Sequence, residues 1–213
     1  YVTEARLKKM LSHEVRLVEQ RLNRDKHPSK MFFSYANTVA TIDFAKQFKG
    51  HGWVGIKYQI EPDEDYNEIV LHIRFKETDA RLQQETLGIL GVNLIYGAFY
   101  KYNDPKKLLR YLYDHLDKDQ LEIDTINFSG PRFADVDNRL MSLQLVKNGM
   151  TDAVMFDPNG NNVLPAAVLY KKNILALRGS FRPVTKVNMD MYKKSLEMFL
   201  EENKVQKENT LVV

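Results

Sequence analysis

Two neighbouring segments with alternating apolar residues constrain the fold of this chain most strongly. Apolar side chains occupy every second position in Trp53–Ile60 and again in Glu68–Phe75. This period of two predicts two β-strands, each with one buried face. The polar residues 61–67 between them predict a loop, so the two strands are expected to pair as a hairpin. Three polar side chains are candidates for the face opposite the core: Lys57, His72 and Arg74.

Helical periodicity fills most of the rest of the N-terminal half. Apolar residues three and four positions apart predict an amphipathic helix over residues 3–22. Residues 78–102 predict a second, longer helix, and Asp104 followed by Pro105 is a typical start of a third. Residues 31–46 fit either a strand or a helix. These patterns together predict a mixed α+β arrangement.

After residue 119, predicted strands alternate with predicted helices. The strands fall at residues 121–128, 153–156 and 173–177, and the helices at residues 136–148 and 188–201. Such alternation is typical of a parallel sheet built from right-handed crossovers. The expected fold class is therefore α/β, with a mixed α+β part in residues 1–119 and an α/β region with a mainly parallel sheet in residues 120–213.

The two ends of the chain favour a portion of a longer protein. The sequence starts at Tyr1 rather than at Met, and Thr210–Val213 predicts the opening of one more strand. We therefore expect an α/β region that is truncated at its C-terminus. The remainder of a longer chain would then be one of the partners of this part.

Composition and charge exclude several function classes. The 213 residues include no cysteine, which removes disulfides, thiolate catalysis and cysteine-ligated metals. The longest apolar stretch, Leu87–Tyr100, is too short to span a bilayer. The net charge of +3 is spread as basic ends around an acidic centre, which argues against a nucleic-acid ligand. We expect a soluble, cytoplasmic protein without a membrane span.

Residues 173–191, NILALRGSFRPVTKVNMDM, are the strongest candidate for a ligand site. They predict an apolar strand, a turn at Gly179 and then a helix. A helix N-terminus offers unpaired N–H groups and a positive dipole end to a phosphate. Arg178, Arg182 and Lys186 add three cations around the turn. The pattern favours a phosphate or nucleotide ligand, and an empty strand-to-helix connection is the alternative.

The segment Gly179–Thr185 resembles the start of G-[ST]-F-[DN]-P-x-[TH]-x-G-H, the first-strand motif of a nucleotidyltransferase family. That family includes the nicotinate and nicotinamide mononucleotide adenylyltransferases and phosphopantetheine adenylyltransferase. The motif is matched by Gly179, Ser180, Phe181 and Pro183, with Thr185 at its first [TH] position. The resemblance implies that the turn holds ATP phosphates while a substrate phosphate attacks the α-phosphate and pyrophosphate leaves, assisted by Mg²⁺.

Three positions depart from the motif. Arg182 replaces Asp or Asn, Val187 replaces Gly, and Asn188 replaces the second His. Because Asn cannot carry a positive charge, the electrostatic stabilisation of such a step would be weaker. Retained catalysis and lost catalysis are both left open. The resemblance implies Thr185, Lys186 and Asn188 as candidate catalytic residues, and Gly179, Ser180, Phe181 and Arg182 as candidate phosphate-binding residues.

Longer stretches, among them GHGWVGIKYQ and LQQETLGILGVNLIYGAFY, look like a larger, poorly characterised bacterial family that is labelled nicotinate-nucleotide adenylyltransferase. The second phosphate motif of the nucleotidyltransferases, an S/T-rich segment that ends in Arg, would lie beyond Val213. The resemblance implies a nucleotide-binding, adenylyltransferase-like protein of NAD biosynthesis. Its cofactor would be ATP with Mg²⁺, and its substrate a nicotinate or nicotinamide mononucleotide.

A second candidate site follows the strand predicted at residues 121–128. Its candidate ligand-binding residues are Ser129, Gly130 and Arg132. In a parallel sheet, the loops at the C-terminal ends of the strands converge on the ligand crevice, so this loop and Gly179–Pro183 could line one site. Farther along, Asp135 favours a helix cap and Arg139 a solvated or salt-bridged arginine.

The remaining chemistry-bearing residues predict no metal site. No two histidines show the i, i+4 spacing of a helical metal site, and the acidic residues 61–65 lack the alternating ligands and the glycine of an EF-hand loop. The alternative to a nucleotide-linked function is a non-catalytic binding or assembly module, such as a homo-oligomer. The helices predicted at residues 3–22 and 78–102 would then supply its interfaces.

Overall fold

The structure is a computed structural model that describes residues 2–23, 25–45 and 49–213. Its helices are Glu4–Arg21 (α1), Ala80–Tyr100 (α2), Pro105–Tyr111 (α3), Asn138–Lys147 (α4), Pro165–Val168 (α5) and Lys186–Leu200 (α6). Its strands are Phe33–Ala40 (β1), His51–Tyr58 (β2), Asn67–Phe75 (β3), Leu121–Ser129 (β4), Met155–Phe156 (β5), Asn162–Val163 (β6), Asn173–Leu175 (β7) and Thr210–Val212 (β8). The expected mixture of helices and strands is confirmed. These elements form two compact units, one that ends at Val163 and one that spans Leu164–Val213.

A four-stranded sheet with the order β1-β2-β3-β4 organises the first unit. The predicted hairpin is confirmed, because β2 and β3 pair antiparallel with Trp53 opposite His72. The segment that fits either a strand or a helix contains β1, which pairs antiparallel with β2 at the edge of the sheet. Strands β2, β3 and β4 are buried over most of their length, and the alternate residues of each strand point to opposite faces of the sheet.

One face of the sheet carries the main apolar core. Alternate side chains of β2, β3 and β4 point into this core, and α2 and α3 cover it with Leu90, Leu94 and Leu108, all fully buried. A Cβ at Gly97 would lie 3.2 Å from Leu108 Cγ, so the missing side chain permits α2 to approach α3 closely. Helix α4 packs beside β4 and completes this layer.

Helix α1 covers part of the opposite face. It buries Leu7, Leu11 and Val15 and packs against β1 and β2. A Cβ at Gly55 would lie 3.0 Å from Leu7 Cδ2, so glycine permits this close approach. Ser34 Oγ donates a hydrogen bond to the Leu11 carbonyl at 2.9 Å, which ties the helix to the sheet. The predicted amphipathic helix is therefore confirmed, and the face over β3 and β4 is left for polar side chains.

Strand β4 pairs antiparallel with β3, with Phe128 opposite Ile69. This corrects the expectation that residues 121–128 begin a mainly parallel sheet. The alternation of strands and helices along a chain does not fix strand direction, and the apolar side chains of β4 extend the core face of β3. Strands β5 and β6 are also antiparallel, whereas β7 and β8 pair in parallel.

The second unit contains α5, the β7-β8 pair and α6. Strand β8 confirms the strand predicted at the C-terminal end of the sequence. Helix α6 begins at Lys186, two residues before its predicted start. No residue of 164–213 is buried, so this unit has no closed core of its own. The boundary between the units lies between Val163 and Leu164, and not at residues 119–120 as the sequence pattern predicted. It is displaced because β4 and α4 pack into the first unit.

The longest helix, α2, has 21 residues and buries three polar side chains, Gln83, Thr86 and Asn93. Asn93 Nδ2 donates to the carbonyl oxygens of Leu112 and Asp114 at 3.1 and 2.7 Å. Over the described ranges of the chain, no helix combines the length and the apolar character that crossing a membrane requires.

We expect Leu11→Ala to lower the free energy of unfolding by about 2–5 kcal/mol, because it opens a cavity between α1 and the sheet. The side chain of Leu11 is fully buried. Val18 lies on the same helix but is 48% exposed, so Val18→Ala should change stability by no more than about 0.5 kcal/mol. Urea unfolding of both variants measures the difference. Equal losses in the two variants would contradict the described packing of α1.

Candidate functional site

The loop between β7 and α6 contains most of the site residues predicted from the sequence. Gly179, Ser180, Phe181 and Arg182 lie in this loop and are all exposed. Thr185 is the N-cap of α6, and Lys186 is its first residue. The strand, loop and helix therefore follow each other in the order that the motif requires, and the loop is open to solvent.

Thr185 and Asn188 use their side chains to hold the start of α6. Thr185 donates from Oγ1 and from its backbone N–H to Asn188 Oδ1, at 2.7 and 2.8 Å. The backbone N–H of Asn188 donates to Thr185 Oγ1 at 3.3 Å. This reciprocal pattern is a capping box, which satisfies two of the otherwise unpaired donors at a helix N-terminus. The two side chains thus fix the backbone around the loop.

Three exposed cations lie in this loop or at its end, Arg178, Arg182 and Lys186. Within the part of the chain that the structure describes, none of them has a carboxylate at ion-pair distance. The backbone N–H groups of Lys186 and Val187 belong to the first turn of α6, where no intrahelical acceptor exists. The loop therefore combines unpaired positive charge with free backbone donors.

The second predicted loop, at the end of β4, is packed against its neighbours. Ser129 is paired with Glu68 in the sheet. Gly130 has a φ of 105°, and a Cβ there would lie 2.5 Å from the Tyr66 carbonyl oxygen. Only glycine fits this backbone conformation without strain. The local geometry accordingly explains Gly130 without a ligand.

Arg132 is held by carboxylates of the hairpin loop. Its Nε lies 2.5 Å from Glu64 Oε1, and its Nη2 lies 3.0 Å from Glu61 Oε1. Its backbone N–H donates to Asn67 Oδ1 at 2.8 Å. The hydrogen bonds to Glu64 and then to Glu61 raise the pKa of Arg132. The positive charge of Arg132 is thus already neutralised by two acidic side chains.

The pKa of Glu64 reflects the same ion pair. Burial alone raises this pKa, but the hydrogen bonds from Arg132 and from the backbone N–H groups of Ile60 and Glu61 outweigh burial. The net effect is a pKa below the ordinary value of 4.5. Glu64 is therefore ionised at neutral pH and joins the end of β4 to the hairpin loop.

The two predicted loops lie in different compact units. Ser129–Arg132 belongs to the first unit and Gly179–Asn188 to the second. Their convergence on one crevice stays a prediction. Beyond Arg132, the N-cap of α4 is Asp137 rather than Asp135, and Arg139 is paired with Asp137 at 2.9 Å, as expected for a salt-bridged arginine.

Helix α2, one of the two helices predicted to supply an interface, leaves an apolar stripe exposed. Its members follow a spacing of three and four residues: Ile89, Val92, Tyr96 and Tyr100. Tyr96 stacks on Tyr100 with ring centroids 4.7 Å apart, so these two rings cover part of each other's apolar surface. Its other side packs on the core through Leu90 and Leu94.

A polar cluster on the partly covered face of the sheet was missed in the sequence. His72 Nδ1 lies 2.7 Å from Asp124 Oδ1, and His51 Nδ1 lies 3.2 Å from His72 Nε2. A signal for this arrangement exists in β4, because its apolar positions step by three between Ile123 and Ile126 instead of by two. Such a step indicates a β-bulge, which re-aims a side chain.

Among the described residues there is no group of three or more His, Cys, Asp or Glu side chains that could hold a metal ion. Comparisons of the chain with protein-family models, with curated proteins and with solved structures gave no match. The similarity to the nucleotidyltransferase motif therefore rests on the sequence of the β7–α6 loop alone.

We expect Glu64→Gln to lower the free energy of unfolding by about 1–2 kcal/mol at neutral pH, since Arg132 loses a charged acceptor. The pKa of Glu64 is lowered in the folded state, so its contribution is present above the unfolded pKa and is lost as the pH falls through the folded pKa. The difference from wild type should accordingly shrink below about pH 4.

Urea unfolding at several pH values measures this difference. The control is Asp65→Asn, which removes one negative charge from the same loop at an exposed position. It should leave stability nearly unchanged at every pH. A deficit in Glu64→Gln that does not depend on pH would argue against the ion pair as its cause.

Proposed function

We propose that this chain is a nucleotide-binding, adenylyltransferase-like protein and that the β7–α6 loop binds the phosphates of ATP. The observation that carries the proposal is the set of three unpaired, exposed cations in one loop and the first residue of the helix after it: Arg178, Arg182 and Lys186. The substrate class that follows from the motif is a nicotinate or nicotinamide mononucleotide. The proposed place of action is the cytoplasm.

The charge distribution at the loop supports a polyphosphate ligand. Arginine forms bidentate hydrogen bonds with phosphate oxygens, and lysine adds a compact point charge. Because the three cations are not neutralised by neighbouring carboxylates in the described chain, their charge is available to a ligand. Arg182 and Lys186 flank the capping residue Thr185, so one phosphate group could contact both.

The backbone of α6 supports the same ligand. Thr185 and Asn188 satisfy each other, which leaves the N–H groups of Lys186 and Val187 as donors at the helix start. First-turn N–H groups and the positive end of the helix dipole favour an anion. Thr185 and Asn188 would then act as positioning residues that hold these donors in place.

The proposed reaction joins the phosphate of the mononucleotide to the α-phosphorus of ATP. A phosphate oxygen forms the new bond, the bond from the α-phosphorus to the bridging oxygen breaks, and pyrophosphate leaves with the electron pair. Mg²⁺ would enter with ATP, held mainly by phosphate oxygens, as this ion usually is in such sites. Arg182 and Lys186 would stabilise the negative charge that develops on the phosphates.

We expect the double variant Arg182→Gln/Lys186→Gln to bind ATP about a hundredfold more weakly, or worse, because each of the two lost charge-assisted hydrogen bonds contributes about 1.5–3 kcal/mol. Isothermal titration calorimetry of the whole chain with ATP, with and without Mg²⁺, measures this affinity. The matched control, Lys193→Gln/Lys204→Gln, removes two exposed cations of the same unit outside the loop and should bind ATP like wild type.

Three outcomes separate the claims. Equal losses in both double variants would show that net charge alone attracts ATP, which overturns the loop as the site. No ATP binding by wild type would overturn nucleotide binding and leave the non-catalytic assembly module. ATP binding without pyrophosphate release in the presence of nicotinate mononucleotide and Mg²⁺ would retain nucleotide binding and overturn adenylyl transfer.

A further inference from the structure

Three side chains are linked by hydrogen bonds across neighbouring strands, on the sheet face that α1 covers in part. Asp124 is joined to His72 at 2.7 Å, and His72 is joined to His51 at 3.2 Å. His72 is only 2% exposed and Asp124 only 8% exposed, whereas His51 is half-buried. Trp53 packs edge-on against His72, with ring centroids 5.0 Å apart. The inner end of this hydrogen-bonded chain is thus shielded and the outer end reaches toward solvent.

The hydrogen-bonding capacity of each group fixes the direction of this chain. An ionised Asp124 can only accept, so His72 Nδ1 carries the proton and donates to it. The Nε2 of a neutral His72 then accepts, so His51 donates from Nδ1. This leaves the lone pair of His51 Nε2 as the free proton acceptor, and no described residue donates a hydrogen bond to it.

The surroundings of His51 keep the ring neutral in the free protein. Burial is the largest influence that lowers the pKa of His51; protonation of His72 would lower it further, and the charge of Arg74 acts in the same direction. Asp124 acts in the opposite direction but does not reverse the net effect. His51 is therefore a neutral base at pH 7, with a carboxylate one histidine away that could stabilise an added proton.

Arg74, the residue opposite His51 in the sheet, lines a pocket rich in cationic side chains. Arg74 is the cross-strand partner of His51, and such directly opposed side chains have Cβ atoms about 4.5–5.5 Å apart. The pocket has a volume of about 590 Å³ and is lined by Lys49, Arg74, Phe75, Lys76, Lys118, Asp119 and Glu122. Four cations thus face two carboxylates, and an anion would be attracted to this pocket.

Two of these four cations are already fixed by the protein. Lys76 Nζ donates to the Lys118 carbonyl at 2.7 Å, and Lys118 Nζ donates to the Asn148 carbonyl. Arg74 lies 3.8 Å from Glu122, whose other oxygen accepts from Thr151 Oγ1 at 2.7 Å. The side chain of Arg74 is 54% exposed and keeps unused donors, as does the exposed Lys49.

We propose that this pocket binds a tetrahedral oxyanion of the phosphate class and that His51 takes up a proton at Nε2 when the anion binds. The anion would lie against Arg74 and Lys49; His51 does not itself line the pocket but is the cross-strand partner of Arg74, so the anion would act on it through space. A bound dianion stabilises the imidazolium form, and Asp124 compensates part of the added charge through His72. The site is independent of the proposed ATP loop, because all of its residues belong to the first unit.

The test uses sulfate, which stays a dianion across the neutral and mildly acidic range, so that any pH dependence comes from the protein. We expect sulfate to bind the whole chain about tenfold more tightly at about pH 5.5 than at about pH 8, in calorimetric titrations at constant ionic strength. Proton NMR of the His51 ring should show its pKa rising when sulfate is added, since the coupling is reciprocal.

Variants locate the effect. His51→Gln should retain weak sulfate binding but lose the pH dependence, whereas His115→Gln, at an exposed histidine outside the pocket, should behave like wild type. Arg74→Gln should remove the effect of sulfate on the His51 resonance while His51 still titrates. The triple variant Arg178→Gln/Arg182→Gln/Lys186→Gln should keep the effect, which distinguishes this site from the ATP loop.

The proposal is overturned if sulfate leaves the titration of His51 unchanged in the wild-type protein. It is also overturned if Arg74→Gln responds to sulfate as wild type does, because the anion then lies elsewhere. Loss of the response in the triple variant but not in Arg74→Gln would assign the bound anion to the C-terminal loop. Far-UV circular dichroism of each variant identifies those that remain folded and therefore count.

Discussion

The antiparallel pairing of β3 with β4 is the constraint on which the first unit depends. The register shifts between His72 and Ile73, which leaves Asp124 as an extra residue on β4. A β-bulge of this kind lets β4 keep Ile123 and Ile126 on the core face on both sides of the shift, although they are three residues apart. The same extra residue brings a carboxylate to a buried histidine. One local irregularity therefore satisfies the apolar core and creates the polar cluster on the opposite face.

The sequence predicted those elements whose pattern is local and strong. The hairpin of β2 and β3, helix α1 and the N-terminus of α3 at Asp104-Pro105 are present as expected, because burial and capping determine them directly. Strand β1 could not be predicted, since its small and polar residues, such as Ser34 and Thr38, alternate only weakly, and pairing with β2 stabilises it. The predicted direction of β4 was wrong for a similar reason. It depends on pairing with β3, whose partner residues lie 46 or more positions away in the sequence.

The candidate site likewise has features that the sequence predicted and features that only the fold reveals. A short motif predicted the turn, the cations and the helix start of the β7–α6 loop, but it could not indicate that Thr185 and Asn188 bond to each other. The charge of Arg132 appeared available in the sequence, whereas the fold places Glu64 and Glu61 against it. His51, His72 and Asp124 are 21 and 52 residues apart, so only the sheet register unites them.

The two proposed anion sites would work by different physical means. In the second unit no residue of 164–213 is buried, so the loop is fixed by its capping box and not by a packed core. Binding there would depend on long, exposed side chains, whose attraction for a ligand is screened by salt and reduced by the entropy of ordering them. In the first unit, by contrast, the buried His72–Asp124 pair orients His51 before any ligand arrives. Because preorganised groups need little ordering on binding, the proposed site on the sheet would couple an anion to a proton, whereas the proposed site at the exposed loop would supply charge but little geometric selectivity.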